Sequence, residues 1–184
     1  MGQAFVFGYG SLVNRGTHAW REVHAARLPG WRRAWQHAEG RGTAFLAAVP
    51  AGPDDAIDGV IAAVPEGDWA ALDRREASYE RAFATGIEHG VAEATDIHLY
   101  RVPPDRHRPA SVRHPVLLSY LDVVVEGYLA EYGPGGVDRF FATTEGWDAP
   151  IRDDRAAPVY PRAAAASDRA RRAVDAWLGD TSGS

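Results

Sequence analysis

The stretch Ala4-Phe5-Val6-Phe7-Gly8-Tyr9-Gly10-Ser11-Leu12 decides how the rest of the chain is read. Its first four residues are apolar and aromatic-rich and run straight into glycine, which predicts a buried strand ending at a Gly-punctuated turn. Two glycines so close together let the backbone turn sharply and approach a ligand, leaving the amides of Ser11 and Leu12 able to bind an anion such as a carboxylate. A plain tight turn after a strand accounts for the same glycines. Other glycine loops are excluded, because the third glycine of a dinucleotide loop is missing and no Gly-Lys-Ser/Thr follows as in a P-loop.

Downstream, Asn14 to Ala26 is read as holding a short helix. Strands are expected near Gly30 to Gln36, Thr43 to Val49 and Gly59 to Val64, the last two separated by a Pro, Gly and Asp cluster that suits a loop or wide hairpin. The chain turns at Pro65-Glu66-Gly67, and Asp68 is placed to cap a helix from Trp69 to about Arg75 or Glu76. Strands over Arg81 to Glu88 and Ala94 to Val102 precede a Pro-rich, basic loop at Pro103 to Pro115. Val116 to Tyr132 is the clearest helix, with Leu117, Tyr120, Leu121, Val124 and Tyr128 on one stripe. Gly133 and Pro134 end it, Gly136 to Thr144 forms another, and Ser167 to Leu178 a last one. Strands first and helices later point to an α+β fold, a small barrel or strongly curled sheet with helices outside.

The 184 residues, 46% of them hydrophobic and 24% charged, suit one domain over residues 1–178, with the small polar stretch 179–184 expected to be a flexible tail. Net charge is −5 and the arginines are scattered among acids, so a nucleic-acid partner is excluded in favour of a small molecule or a protein. The pairs Arg32/Arg33, Arg74/Arg75 and Arg171/Arg172 read as solvated or ion-paired faces, and Asp54/Asp55 and Asp153/Asp154 as solvated. With no cysteine there is no disulfide, thiolate metal site or Cys nucleophile, and the seven histidines lack metal-binding spacing, so neither metal nor cofactor is expected. No apolar run approaches ~18 residues and the N-terminus lacks signal-peptide character, which predicts a cytoplasmic protein with no membrane partner.

Glu76 is the other residue that stands out. Trp69, Leu72 and Glu76 fall at i, i+3 and i+7 of the predicted helix, so a carboxylate occupies its core-facing stripe. Burial there, and the negative pole of the helix dipole, would both raise its pKa from ~4.3 toward ~6 to 7, where a carboxylate can accept and return a proton near neutrality. The alternative is a helix-end glutamate facing solvent or paired with Arg74, Arg75 or Arg81.

Taken together, Tyr9-Gly10-Ser11-Leu12 after an aromatic strand, then Leu72-Asp73-Arg74-Arg75-Glu76, Tyr79 and Arg81, resemble the signature of the γ-glutamylcyclotransferase-like superfamily, which includes ChaC-type and AIG2-like proteins. The resemblance spans roughly residues 4 to 130 and takes in Gly30-Trp31-Arg32-Arg33, Arg41-Gly42-Thr43 and Ser119-Tyr120-Leu121. It implies a small mixed β-barrel with flanking helices, in which the Tyr9, Gly10, Ser11, Leu12 loop binds the γ-glutamyl moiety and Glu76 is catalytic. Tyr120 is either a further substrate-binding residue, as in relatives, or a core tyrosine. Many relatives carry Gly where this chain has Ala77, and the segment from Thr143 through Trp147, Asp154, Tyr160 and Arg162 has no counterpart in the best-known members.

The implied reaction is attack of a substrate's α-amino group on its own γ-carbonyl, which closes 5-oxoproline and expels an amine. Both reacting groups lie in one molecule, so holding the folded-back conformer supplies much of the acceleration, and one carboxylate can move the proton. Glutathione, γ-glutamyl amino acids and γ-glutamylamines all fit. The alternatives are a non-catalytic small-molecule-binding protein using the same pocket, or another acyl transfer or hydrolysis there.

Overall fold

The computed structural model describes residues 3–37, 42–64, 68–76, 79–106 and 108–182. Arg41, Ala77, His107, the turn at Pro65-Glu66-Gly67, and Gly183 and Ser184 lie outside the described residues.

The apolar run of β1 (Ala4–Gly8) lies inside a mixed sheet, buried from Phe5 onward. It pairs antiparallel with β5 (Ala56–Ala63) and parallel with β8 (Asp96–Arg101), Phe7 facing Ile61 on one side and Leu99 on the other. With β2 (Val23–Pro29), β6 (Glu80–Phe83) and β7 (Glu88–His89) the order is β6-β8-β1-β5-β2-β7. A second sheet joins β3 (Trp31–Gln36), β4 (Phe45–Pro50) and the short β10 (Thr144–Glu145), and β9 (Val116–Leu117) pairs with β11 (Ile151–Arg152).

The two larger sheets share one bent ribbon. The register runs from Val23↔Ala62 to Pro29↔Ala56 in the first sheet and resumes at Trp31↔Pro50 in the second. Gly30 makes the corner at φ +76°, a value costly for residues with a Cβ, its amide donating to the Asp55 carbonyl at 2.7 Å and its carbonyl accepting from the Ala51 amide at 2.7 Å. The Pro, Gly and Asp cluster is therefore the outside of this corner; of the two readings, loop or wide hairpin, the loop holds, and β4 and β5 belong to different sheets. The curl does not close. β6 and β7 remain edge strands, so the expected α+β fold stands while "barrel" describes it only loosely.

The expected helix over Asn14 to Ala26 is replaced by two 3₁₀ turns, Ser11–Val13 and Arg15–Thr17, followed by β2. Buried Asn14 explains why: its side chain accepts from the Gly16 amide at 2.8 Å and donates to the carbonyls of Val123 and Ala165, both at 2.9 Å. Such side-chain bonds compete with helix propagation. α1 (Trp69–Arg75) begins as read from the sequence, Asp68 accepting from the Ala71 amide at 2.9 Å.

α2 (Leu118–Ala142) breaks at Gly133, whose φ is +67°, just before Pro134. Its start is two residues later than expected because Val116 and Leu117 pair with Ile151 and Arg152. α3 (Asp168–Ser182) packs on α2, Trp177 stacking on Phe141 at 4.3 Å, and continues past Leu178 into the stretch read as a tail. Among the described residues no helix is long and apolar enough to cross a membrane.

Two polar expectations are overturned by burial. Arg33, read with Arg32 as part of a solvated or ion-paired face, has 0% exposure. Its Nε donates to the Tyr9 carbonyl at 3.0 Å, Nη1 to Thr143 Oγ1 at 2.8 Å, and Nη2 to the Tyr128 hydroxyl at 2.6 Å and to the Asp58 carbonyl. Consecutive strand residues point to opposite faces, so Arg32 faces outward and pairs with Asp55 at 2.7 Å and Glu145 at 2.9 Å.

Asp154, read as solvated, is buried and accepts from the Ser119 amide at 2.9 Å, the Ser119 hydroxyl at 2.6 Å and the Val159 amide at 2.8 Å. Asp55 likewise departs from the solvated reading by pairing with Arg32, whereas Asp54 is exposed. Burial pushes the Asp154 carboxyl up, but the bonds from Ser119 and Val159 outweigh it and hold the group below the usual carboxylate range.

Two predictions follow from these buried groups. Arg33→Met strands several polar partners and should destabilise the fold by about 3 kcal/mol or more in urea denaturation; a loss below ~1 kcal/mol would contradict the role given to the guanidinium. Because Asp154 titrates lower in the folded chain than in the unfolded one, its stabilisation is complete above the unfolded value of ~3.9 and disappears as pH falls through the native value. The stability gap between wild type and Asp154→Asn should thus be flat above about pH 5 and shrink below about pH 4, as followed by urea melts across that range.

Candidate active site

The β1 turn, the end of α1 and the first turns of α2 meet around a small open cleft. Tyr9, Gly10, Ser11 and Leu12 form one wall, Glu76 faces the same space, and Leu46, Tyr79, Tyr100 and Tyr120 complete the lining. A second, roomier chamber shares Ser11, Glu76, Tyr79 and Tyr120 and is extended by Thr43, Phe45, Leu117, Tyr160 and Arg162.

The glycines of the turn serve close approach rather than left-handed backbone. A Cβ on Gly8 would lie 2.5 Å from Leu12 Cβ, and one on Gly10, whose φ is −119°, would lie 2.9 Å from the Tyr120 hydroxyl. Beyond Gly10 the chain enters the Ser11–Val13 turn, closed by the Val13 amide on the Gly10 carbonyl at 3.1 Å, and the Ser11 and Leu12 amides precede that first bond. α2 presses on this turn from behind, since a Cβ at Gly127 would come within 2.5 Å of the Asn14 amide nitrogen.

Glu76 caps α1, its amide bonded to the Leu72 carbonyl at 2.9 Å and its carbonyl accepting from the Tyr79 amide at 2.8 Å. Leu72 is buried in the core and Glu76 is half-buried at the cleft, so the stripe read from the sequence continues from core into pocket. Arg81, one of the cations proposed as its partner, pairs instead with Asp73 at 3.2 Å and lies over the Trp69 ring at 4.3 Å. Asp73 also accepts from the Tyr100 hydroxyl, which fixes the end of β8 against α1.

The phenols around Glu76 are held neutral. Burial pushes Tyr9 well above its ordinary value and the Glu76 charge adds to this; its hydroxyl donates to the Tyr100 carbonyl at 2.6 Å. Tyr120 is raised first by burial and then by the neighbouring Tyr160, Tyr9 and Glu76. Its ring packs edge-on against Trp35 at 6.0 Å and Tyr160 at 5.0 Å. Tyr9 and Tyr120 therefore stay protonated at neutral pH beside the carboxylate. Among the described residues no three His, Asp or Glu side chains are grouped as metal ligands would be.

All six residues singled out in the sequence, Tyr9, Gly10, Ser11, Leu12, Glu76 and Tyr120, line this one cleft. Tyr100 and Leu46 were missed. Tyr100 arrives through the parallel pairing of β8 with β1, a contact across some ninety residues (|i−j|=91 for the Tyr9–Tyr100 bond) that no local motif announces. Leu46 and Tyr79 are joined by the Tyr79 hydroxyl donating to the Leu46 carbonyl at 3.1 Å.

A family model for γ-glutamyl cyclotransferase, AIG2-like proteins matches residues 6–120, a span that includes the turn, Glu76 and Tyr120. The chain belongs to this family. Solved structures resemble this γ-glutamyl cyclotransferase-like chain in fold at low identity. YkqA from Bacillus subtilis superposes with a TM-score of 0.60 at 17% identity over 79% of this chain and 57% of YkqA, so the chain spans little more than half of that protein. A γ-glutamyl cyclotransferase gives 0.55 at 14% identity over 83% of this chain and 95% of its own, and an uncharacterized human protein, loc79017, gives 0.56 at 14% over 84% and 96%. A search of curated protein sequences finds no match.

Gly10→Ala should force its methyl against the Tyr120 oxygen and cost about 1–3 kcal/mol, with part of the loss recovered when Tyr120→Phe removes that oxygen. Thermal melts of the single and double variants measure this coupling; strictly additive losses would contradict the contact.

Proposed function

We propose that this protein is a γ-glutamylcyclotransferase that converts a γ-glutamyl compound to 5-oxoproline and a free amine, with Glu76 as the group that moves the proton. The observation that carries this reading is the placement of the Glu76 carboxylate and the Tyr9–Leu12 turn on one cleft, among phenols that remain neutral.

In this reading the turn holds the γ-glutamyl moiety in a folded-back conformer, with the Ser11 and Leu12 amides serving its α-carboxylate or the developing oxyanion. Glu76 takes a proton from the α-ammonium. The freed amine attacks the γ-carbonyl carbon and the new C–N bond closes the five-membered ring; the old amide C–N bond breaks as Glu76 returns the proton to the leaving nitrogen, and the second proton that the attacking nitrogen sheds on becoming the lactam N–H follows through the same carboxylate, so the amine departs as its ammonium. The proton balance closes without water, oxidant or metal, and no protein nucleophile is consumed. Tyr120, which lines the same cleft and stays protonated, donates to the bound substrate.

The test is 5-oxoproline release from glutathione, a γ-glutamyl amino acid and a γ-glutamylamine. The Glu76→Gln variant, which keeps the shape and removes the proton carrier, should lose roughly 10²- to 10⁴-fold in kcat with a smaller change in KM. Full turnover in that variant would remove Glu76 from the mechanism. Calorimetric binding of the same compounds without product would favour a sensor of γ-glutamyl ligands.

A further inference from the structure

The second chamber has a lining of its own. Tyr160 and Arg162 come from the segment between α2 and α3, beyond the residues 6–120 that the family model matches, and they line this chamber with Thr43, Phe45, Leu117 and the shared Ser11 and Glu76. Among the described residues the buried Tyr160 hydroxyl has no hydrogen-bond partner, an arrangement whose cost points to a missing acceptor or donor. Arg162 is half-buried, and among the described residues no carboxylate pairs with it, whereas nearby Arg155 is paired with both Asp122 and Asp175.

This part of the chain is firmly braced, so the two side chains are held at the chamber by more than a passing loop conformation. Asp154 fixes the segment to the first turn of α2 through Ser119, and also accepts from the Val159 amide at 2.8 Å, next to Tyr160. Arg155 grips Asp122 of α2 through two bonds of 2.8 and 2.7 Å. The Ala163 amide bonds back to the Tyr160 carbonyl at 3.2 Å, and the Ala165 carbonyl accepts from Asn14, the residue that also shapes the β1 turn. Tyr160 and Arg162 are thereby tied to the same framework as Ser11 and Tyr120.

We propose that Arg162, assisted by Tyr160, binds a carboxylate on the leaving group, so that the preferred substrates are γ-glutamyl amino acids or γ-glutamyl peptides rather than γ-glutamylamines. This rests on the function proposed above, in which the β1 turn takes the glutamyl half and Glu76 stands at the bond to be broken. The amine side of that bond then enters the second chamber, where a planar guanidinium meets a carboxylate with two parallel hydrogen bonds and a phenol supplies a third donor. Arg162 touches the part of the substrate that departs, so its effect falls on the choice of substrate.

The test uses a matched pair, γ-glutamyl-alanine and γ-glutamyl-ethylamine, which differ by the leaving-group carboxylate alone. The wild-type protein should favour the alanine compound in kcat/KM by roughly 10- to 100-fold, the range of a charge-assisted hydrogen-bonded pair. Arg162→Gln should abolish that preference by lowering the alanine value while changing the ethylamine value less than about threefold, and Arg162→Lys should restore part of it. A melting temperature equal to wild type excludes a folding defect.

A wild-type preference for the ethylamine compound, or an equal fall on both substrates in Arg162→Gln, would overturn the proposal. If neither compound yields 5-oxoproline, the catalytic reading fails by itself, and calorimetry on the same pair decides the subsite. Tighter binding of the alanine compound, lost in Arg162→Gln, upholds the subsite; indifference to the carboxylate overturns it.

Discussion

A buried guanidinium with no exposed surface holds the centre of this molecule together. Arg33 reaches from β3 to the carbonyls of Tyr9 and Asp58 and to the hydroxyls of Thr143 and Tyr128, so one side chain links both large sheets, α2 and the first residue of the β1 turn. The Tyr128 hydroxyl lies 2.9 Å from the Tyr9 carbonyl and 2.7 Å from that of Asp58, and the ring lies under the guanidinium at 4.8 Å. A charge withdrawn from water persists only where its donors are met, and here two of the four partners are backbone carbonyls and two are hydroxyls. The constraint fixes the backbone of Tyr9. From there Gly10, Ser11 and Leu12 follow into the cleft.

The cleft inherits its chemistry from that rigidity. Tyr9 gives its hydroxyl to the Tyr100 carbonyl, Tyr100 gives its own to Asp73, and Asp73 pairs with Arg81, so the carboxylate nearest Glu76 in sequence is already engaged. What faces the cavity is one carboxylate among uncharged phenols. For a reaction whose two reacting atoms arrive in one molecule, a stiff wall, a proton carrier and an exit for the amine are sufficient, and a nucleophilic side chain is unnecessary.

Much of this was legible in the sequence where the signal was local. The apolar run into Gly8, the Asp68 cap and the spacing of Trp69, Leu72 and Glu76 each name a feature that depends on neighbours a few residues away, and the structure has all three. The misreadings came from long-range partners. Asn14 looked like part of a helix because its hydrogen bonds to Val123 and Ala165 lie more than a hundred residues off. The Pro and Gly cluster after β4 left loop and wide hairpin both open, because nothing local says that a ribbon bends there into a second sheet. Arg33 had an available signal: two adjacent arginines within a strand cannot both face solvent if one face is covered, so one of the pair had to turn inward. Asp154 carried none, since its partner Ser119 becomes visible as a helix start in need of a cap once the pairing of β9 with β11 is known.

In the proposed reaction the ring closes by attack from within the substrate, so that water takes no part in bond making. Turnover of a γ-glutamyl amino acid in water enriched in ¹⁸O, with products weighed by mass spectrometry, tests this most directly. Intramolecular closure yields 5-oxoproline without the heavy isotope, released one for one with the free amino acid. Glutamate carrying ¹⁸O in its γ-carboxylate as the principal product would contradict it.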